Sequence, residues 1–143
     1  MLLKQLSIFV ENKQGRLAEI TQVLANHQVD IRALSIADTT DYGILRLIVD
    51  RPEEAMKALK EEGMTVSLTS VIAIAINDRP GELAKAVRVL SDHGIDVGYM
   101  YAFLNPTADT ACVILRVEDN EKAISILQQN HVALMSSEEV YTL

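Results

Sequence analysis

Short apolar runs rich in β-branched residues alternate along this chain with segments in which apolar residues recur every three or four positions. The runs "LSIFV" and "VIAIAI" are typical of strands. After each run and a glycine-containing loop, apolar residues recur at helical spacing. The first of these segments carries Leu17, Ile20, Val23 and Leu24, and the second carries Leu83, Ala86, Val87 and Leu90. The pattern predicts a strand followed by an amphipathic helix, twice.

These segments belong to an internal repeat. Residues 12–30 align with residues 78–96 at a shift of 66 positions without a gap, and seven positions are identical. Further along, residues 49–59 align with residues 117–127 at a shift of 68. The second copy therefore gains two residues, and we place the gain in residues 104–110, "LNPTADT", because Asn, Pro and Asp are typical of loops. Such self-similarity indicates two copies of one folding unit.

Each copy has the same predicted order of elements. The second strands are "VDIRALSIA" and "IDVGYMYAF", and the third strands are "GILRLIV" and "ACVILRV". The second helices are "PEEAMKALKEEG" and "NEKAISILQQN", and the last strands are "MTVSL" and "EEVYTL". The order β-α-β-β-α-β predicts an α+β protein made of two ferredoxin-like repeats, each an antiparallel sheet with its helices on one face.

We place the first repeat at residues 1–69 and the second at residues 70–143. The join between them, residues 64–76, contains no glycine, proline or charged residue. It therefore predicts that the last strand of repeat one runs almost directly into the first strand of repeat two. Because a unit of about 70 residues has a marginal core, we also expect an intimate interface between the repeats.

Composition and charge narrow the possible functions. The chain has 143 residues, a formal net charge of −7 and a single cysteine, Cys112. An acidic chain without a basic patch is a poor nucleic-acid binder, and no apolar run reaches the roughly 20 residues that span a bilayer. Cys112 lies in an apolar strand, so we expect a buried, inert thiol and neither a disulfide nor a cysteine metal site. We predict a cytoplasmic protein without metal or cofactor.

Two segments resemble the first half of an ACT domain. They are "RPGELAKAVRVLSDHGIDV", residues 79–97, and "NKQGRLAEITQVLANHQVDI", residues 12–31, with Gln14 where Pro80 stands in the other copy. The resemblance covers the chain as two tandem ACT copies. It implies a small regulatory module that binds amino acids or related metabolites at an interface between ACT domains. The chain is similar to stand-alone tandem ACT proteins and, more distantly, to the regulatory subunit of acetolactate synthase.

The residues also indicate where a ligand could bind. Gly15 and Gly81 stand at strand-to-helix turns, where the absence of a Cβ lets the backbone approach a ligand. The first N–H groups of the following helix have no intrahelical partner, and they favour a carboxylate. The alternative is that the glycines serve the turn alone.

The resemblance adds polar contacts to these loops. Asn12 and Asp78 match the ACT loop position that contacts polar groups of the ligand, although they could instead cap their helices. Asp30 and Asp96 match the position that opens the second strand, where a carboxylate suits an ammonium group. We place the site where a loop of one repeat meets the second strand of another, in the same chain or a partner chain. The predicted ligand-binding residues are Asn12, Lys13, Gln14, Gly15, Arg16, Leu17, Asp30, Ile31, Asp78, Arg79, Pro80, Gly81, Glu82, Leu83, Asp96, Val97, Tyr99 and Tyr101.

Three aromatic residues, Tyr99, Tyr101 and Phe103, alternate along the second strand of repeat two. Their counterparts in repeat one are the small residues Ala33, Ser35 and Ala37. The intervening positions are apolar as well, so we expect the sheet face away from the helices to be covered by the other copy or another chain. The large aromatic side chains then either pack against small side chains across that contact or line a ligand pocket.

Catalysis finds little support in the sequence. His27 and His93 are equivalent and stand near helix ends, where a histidine can bond the last carbonyl groups. No catalytic motif is present. We therefore expect a non-catalytic, amino-acid-binding regulatory protein of amino-acid metabolism that forms a homodimer or larger oligomer. The alternatives are a regulatory subunit that contacts a metabolic enzyme such as acetolactate synthase, a small enzyme on a ferredoxin-like scaffold, and an RNA-binding sheet.

Overall fold

The computed structural model describes residues 2–38, 41–105 and 108–143. In chain order, the elements are β1 (Leu2–Glu11), α1 (Arg16–Asn26), β2 (Ile31–Asp38), β3 (Tyr42–Val49), α2 (Pro52–Glu61), β4 (Thr65–Asn77), α3 (Glu82–Asp92), β5 (Val97–Leu104), β6 (Thr110–Val117), α4 (Asn120–Gln129), β7 (Ala133–Met135) and α5 (Ser137–Tyr141). The predicted order β-α-β-β-α-β is confirmed in both repeats. Within the predicted loop of residues 104–110, Pro106 and Thr107 lie outside the described residues.

The chain forms two compact units. One unit contains Lys4–Thr69, and the other contains Ser70–Tyr141 together with Leu2, Leu3 and Leu143. In the first unit the strand order is β2-β3-β1-β4. In the second unit the order is β4-β6-β5, and β7 pairs with β4. Strands β2 and β5 are therefore edge strands.

Strand β4 is continuous through the join, as the sequence predicts. It runs for 13 residues, and its first part belongs to one unit while its second part belongs to the other. Val66 and Leu68 contribute to the core of the first unit, and Ile72 and Ile74 contribute to the core of the second. All four are even-numbered, so the core-facing side chains keep one alternation along the whole strand.

Each core packs helices onto one face of a sheet. Ile20 and Leu24 of α1 are buried against β1 and β3 residues such as Leu6, and Leu90 of α3 is buried in the second core. The predicted apolar stripes are shorter than expected, because Leu17 is 46% exposed and its counterpart Leu83 is 37% exposed. These two leucines stand in the first helical turn, next to the exposed loops.

The end of the chain differs from the sequence prediction. The segment "EEVYTL" is not a strand; it forms most of helix α5, and the pairing with β4 comes from β7 just before it. Ser136 explains the helix, because its Oγ accepts from the backbone N–H of Glu139 at 3.1 Å and lies 3.1 Å from the Glu139 carboxylate. This is a capping box, in which a serine and a glutamate three residues later satisfy the first turn. Val140 is buried in the resulting helix.

The aromatic residues of β5 lie on the sheet face away from the helices. Tyr101 is opposite Ile114 in the register, whereas Met100 is opposite Leu115, which belongs to the helix-covered core. Ile114 and Cys112 of the aromatic face are buried, as expected for a covered face. Met100, on the helix side of the edge strand, is 43% exposed.

Candidate functional site

Gly15 and Gly81 are the N-cap residues of α1 and α3. Their backbone φ angles are +88° and +90°, and neither helix has a side-chain cap hydrogen bond. Asn12 and Asp78 stand three positions before these N-cap residues, in the loops that lead into the helices. A Cβ built on either glycine meets nothing within 4 Å. The left-handed backbone requires glycine here, and the space in front of each turn is open to a ligand.

Backbone donors are available at both turns. The N–H of Arg16 reaches the carbonyl of Lys13 at 3.3 Å, and the N–H of Glu82 reaches the carbonyl of Arg79 at 3.3 Å. The next N–H groups, such as that of Leu83, have no acceptor within the helix. Since the helix dipole also favours negative charge at this end, each turn can hold a carboxylate.

The charges beside the two turns differ. In repeat one, Lys13 Nζ lies 2.8 Å from the carboxylate of Glu11. The hydrogen bond from Lys13 and its positive charge lower the pKa of this carboxylate. Asn77 replaces Glu11 in repeat two, and Arg79 replaces Lys13. Arg79 forms no ion pair with any residue that the structure describes. Arg79 therefore lacks the ion pair that Lys13 forms beside the Gly15 loop.

A cavity of about 430 Å3 lies beside the first turns of α3. Asn77, Glu82 and Lys85 supply its polar wall, with Glu82 and Lys85 paired at 3.2 Å. Val89 and the segment from Asn130 to Ala133 close it from the other side. Of the predicted ligand-binding residues, Glu82 lines this cavity.

The two groups of predicted residues lie at opposite ends of their own repeat. Asn12 N–H donates to the carbonyl of Asp41 just before β3, whereas Asp30 exchanges hydrogen bonds with Asp50 just after β3. Strand β3 has eight residues, so roughly 26 Å separates its ends. Repeat two follows the same plan, with Asp78 bonded to Asp109 before β6. A loop and the second-strand aspartate of the same repeat cannot hold one small ligand.

The second-strand residues of repeat two line another cavity, of about 550 Å3. Asp96 and Tyr99 were predicted as site residues. Arg116, Glu118 and Lys122 also line it and were missed by the sequence prediction. Arg116 and Lys122 stand where repeat one has Ile48 and Glu54, so comparison of the two copies was the signal that could have found them, whereas Glu118 matches the acidic Asp50. Ile31, Val97 and Tyr101 are half-buried strand residues.

The groups considered for catalysis have structural surroundings. His27 Nδ1 lies 2.9 Å from the carbonyl of Val23, and His93 Nδ1 lies 2.7 Å from that of Val89, so both bond the last turn of a helix, as predicted. Burial raises the pKa of the Cys112 thiol to about 12, which makes it a poor nucleophile at neutral pH. Across the described ranges, no three His, Cys, Asp or Glu side chains cluster in a way that could hold a metal. None of the helices in the described part of the chain has the length and apolarity that crossing a bilayer requires.

Comparison with known proteins gives one family and several solved structures. The sequence model of the ACT domain pair matches residues 1–143. Protein BT0572 from Bacteroides thetaiotaomicron is 43% identical, with 100% of this chain and 98% of that chain covered and a TM-score of 0.95. The ligand-free regulatory subunit of aspartate kinase from Thermus thermophilus is 18% identical over 90% of this chain and 92% of that chain, with a TM-score of 0.63. The regulatory subunit from Thermus flavus is 15% identical over 88% and 90%, also with a TM-score of 0.63. Curated proteins give no match.

Proposed function

Because this chain belongs to the family of ACT domain pairs, as its sequence resemblance predicts, we propose that it is a non-catalytic regulatory protein that binds an amino acid or a related small metabolite. The two Thermus proteins that share its fold are regulatory subunits of aspartate kinase. The proposal gives this chain a regulatory role too, in which it senses a metabolite and passes the signal to an enzyme.

The Gly81 loop is the observation that carries the proposal. Its open turn, its free helix donors and the unpaired Arg79 suit the carboxylate of an α-amino acid. Asp78 on the same loop is exposed and offers an acceptor for the ammonium group. The adjoining cavity of about 430 Å3 has room for a side chain. Asp30 or Asp96 would complete the site from a second copy of the chain.

A thermal-shift screen tests this function. A ligand that binds only the folded state stabilises it by about 2.7 kcal/mol at 100 times its Kd. We expect at least one α-amino acid to raise the melting temperature of the whole chain at millimolar concentration, and the matching amine without a carboxylate to have no effect. If no amino acid or related carboxylate shifts the transition, the sensing function is contradicted and a role through protein contacts alone takes its place.

We also propose that the chain forms a homodimer through an edge strand. Leu34 on β2 is 57% exposed, and its counterpart Met100 on β5 is 43% exposed. Unpaired edges with exposed apolar side chains are typical of surfaces that another chain covers. A metabolic enzyme is the alternative partner for the same surface.

Leu34→Lys and Met100→Lys form a matched pair that tests the dimer. Both side chains are exposed, so neither change should unfold the chain. We expect the wild type to sediment as a dimer at micromolar concentration, and one of the two variants to weaken the dimer by roughly tenfold or more. A monomeric wild type, or two variants that dimerise like the wild type, would show that neither edge is the interface.

A further inference from the structure

The far end of repeat one, opposite its Gly15 loop, is filled by two arginine side chains. Arg32 donates to the carboxylate of Asp30 at 2.6 Å. Arg51 donates to the carbonyl oxygen of His27 at 2.9 Å and also to that of Gln28, while its other nitrogen bonds Glu54 at 2.7 Å. Two guanidinium groups therefore satisfy the backbone carbonyls and carboxylates at this end.

Repeat two has neither arginine. Gly98 stands at the position of Arg32, at the shift of 66, and Asp119 stands at the position of Arg51, at the shift of 68. The cavity of about 550 Å3 lies at this place, and both residues line it. The space that the chain fills with its own side chains in one repeat is thus open in the other.

The walls of this cavity keep the acceptors that a guanidinium group requires. Gly94, the counterpart of Gln28, lines the cavity, and an aspartate at position 119 cannot donate to its carbonyl oxygen. Asp96 and Glu118 add two carboxylates. Asp119 itself accepts the N–H of Lys122 at 3.1 Å, which caps α4. These groups suit a cation with several N–H donors.

Two cations also line this cavity. Arg116 replaces the buried Ile48 of repeat one, and its guanidinium group donates to the carbonyl of Val117 at the cavity edge. Lys122 replaces Glu54. A ligand that satisfies both the carboxylates and the cations must carry a cationic group and an anionic group together.

We propose that this cavity binds a basic amino acid, with its guanidinium or ammonium group in the place that the Arg51 side chain occupies in repeat one. Its carboxylate then faces Arg116 and Lys122. The site lies at the opposite end of repeat two from the Gly81 loop, so it is distinct from the site of the proposed function. Repeat one is already filled and does not bind this ligand.

Isothermal titration of the whole chain with L-arginine tests the proposal. We expect saturable binding at millimolar concentration or below. Agmatine, which lacks the carboxylate, and citrulline, which lacks the charge, should each bind weaker by on the order of tenfold or more. The proposal is overturned if neither arginine nor lysine binds above a matched salt control.

Two variants locate the bound arginine. Asp119→Asn keeps an efficient helix N-cap and removes one negative charge. Gly98→Arg copies repeat one, and a Cβ at this position makes only an ordinary contact, 3.5 Å from the carbonyl of Arg116. We expect each to lower the affinity by on the order of tenfold. Glu121→Gln is the control, since it removes the same charge from an exposed part of α4 outside the cavity.

The outcomes separate this proposal from the function proposed above. If Gly98→Arg does not fold by circular dichroism, Asp119→Asn decides alone. If arginine binds and the folded variants keep the wild-type affinity, this cavity is not the site, and a loss on Arg79→Gln would then assign arginine to the Gly81 loop. If another amino acid binds and is lost only on Arg79→Gln, the proposed function stands and this inference fails.

Discussion

Leu24→Ala and Leu90→Ala should each lower the free energy of unfolding by about 2–5 kcal/mol, the range for removing a buried leucine side chain. The two leucines are equivalent residues of α1 and α3, and their exposed fractions are 0% and 1%. Each packs into the hydrophobic cluster of its own unit. Urea denaturation followed by circular dichroism measures the loss.

Leu17→Ala and Leu83→Ala are the matched controls for the core variants. These leucines lie on the same helices but are exposed, so each change should alter stability by about 0.5 kcal/mol or less. The two core variants, Leu24→Ala and Leu90→Ala, also test the sequence-based expectation that the repeats fold together. One cooperative transition that moves in both core variants supports it, whereas two transitions that move separately contradict it.

Arg79→Gln should weaken binding of an identified amino-acid ligand by about 10- to 100-fold, because it removes a charge-assisted hydrogen bond to the carboxylate. Lys13→Gln, the same change in repeat one, should alter the affinity by about threefold or less, since Glu11 already compensates Lys13. Titration calorimetry of both variants gives the comparison. Equal losses in the two variants would show that the loops are equivalent and that the pairing of Lys13 does not matter.

Asn77→Glu provides the reverse experiment. It copies Glu11 of repeat one and places a carboxylate where Glu11 pairs with Lys13, so we expect it to weaken ligand binding in the direction of Arg79→Gln. Asn77 is exposed at the end of β4, and the melting temperature of the ligand-free variant should stay close to that of the wild type. An unchanged affinity would mean that Arg79 does not contact the carboxylate.

The element order could be predicted because each element leaves a local pattern. Helical spacing, β-branched runs and the alignment of residues 12–30 with residues 78–96 are sufficient for two β-α-β-β-α-β units. The uncharged join was enough to predict the continuous strand β4. The exception is α5, where "EEVYTL" contains strand-forming residues but Ser136 and Glu139 fix a helix. A capping box was present in the sequence and outweighs the propensity of the residues after it.

The site was harder to predict because its parts are distant along the chain. The loop glycines were located correctly as turns, since Gly15 and Gly81 both have a left-handed backbone. Sequence alone does not reveal that a whole strand separates Asp96 from the Gly81 loop. Nor does it show that Gly98 and Asp119 are neighbours around one cavity. Gly98 and Asp119 differ from their counterparts Arg32 and Arg51, so the alignment of the repeats does not mark them as a shared site.

The unbroken strand β4 constrains how such a chain can evolve. Its core-facing residues, Val66 and Leu68 before the join and Ile72 and Ile74 after it, keep one alternation. An insertion or deletion of one residue there would move the apolar side chains of one repeat to the other face of its sheet, away from the helices that they pack against. Duplication and fusion of an ancestral unit thus required a join that kept this alternation. Related chains should differ in length at segments such as residues 104–110, where the two copies themselves differ, rather than at residues 69 and 70.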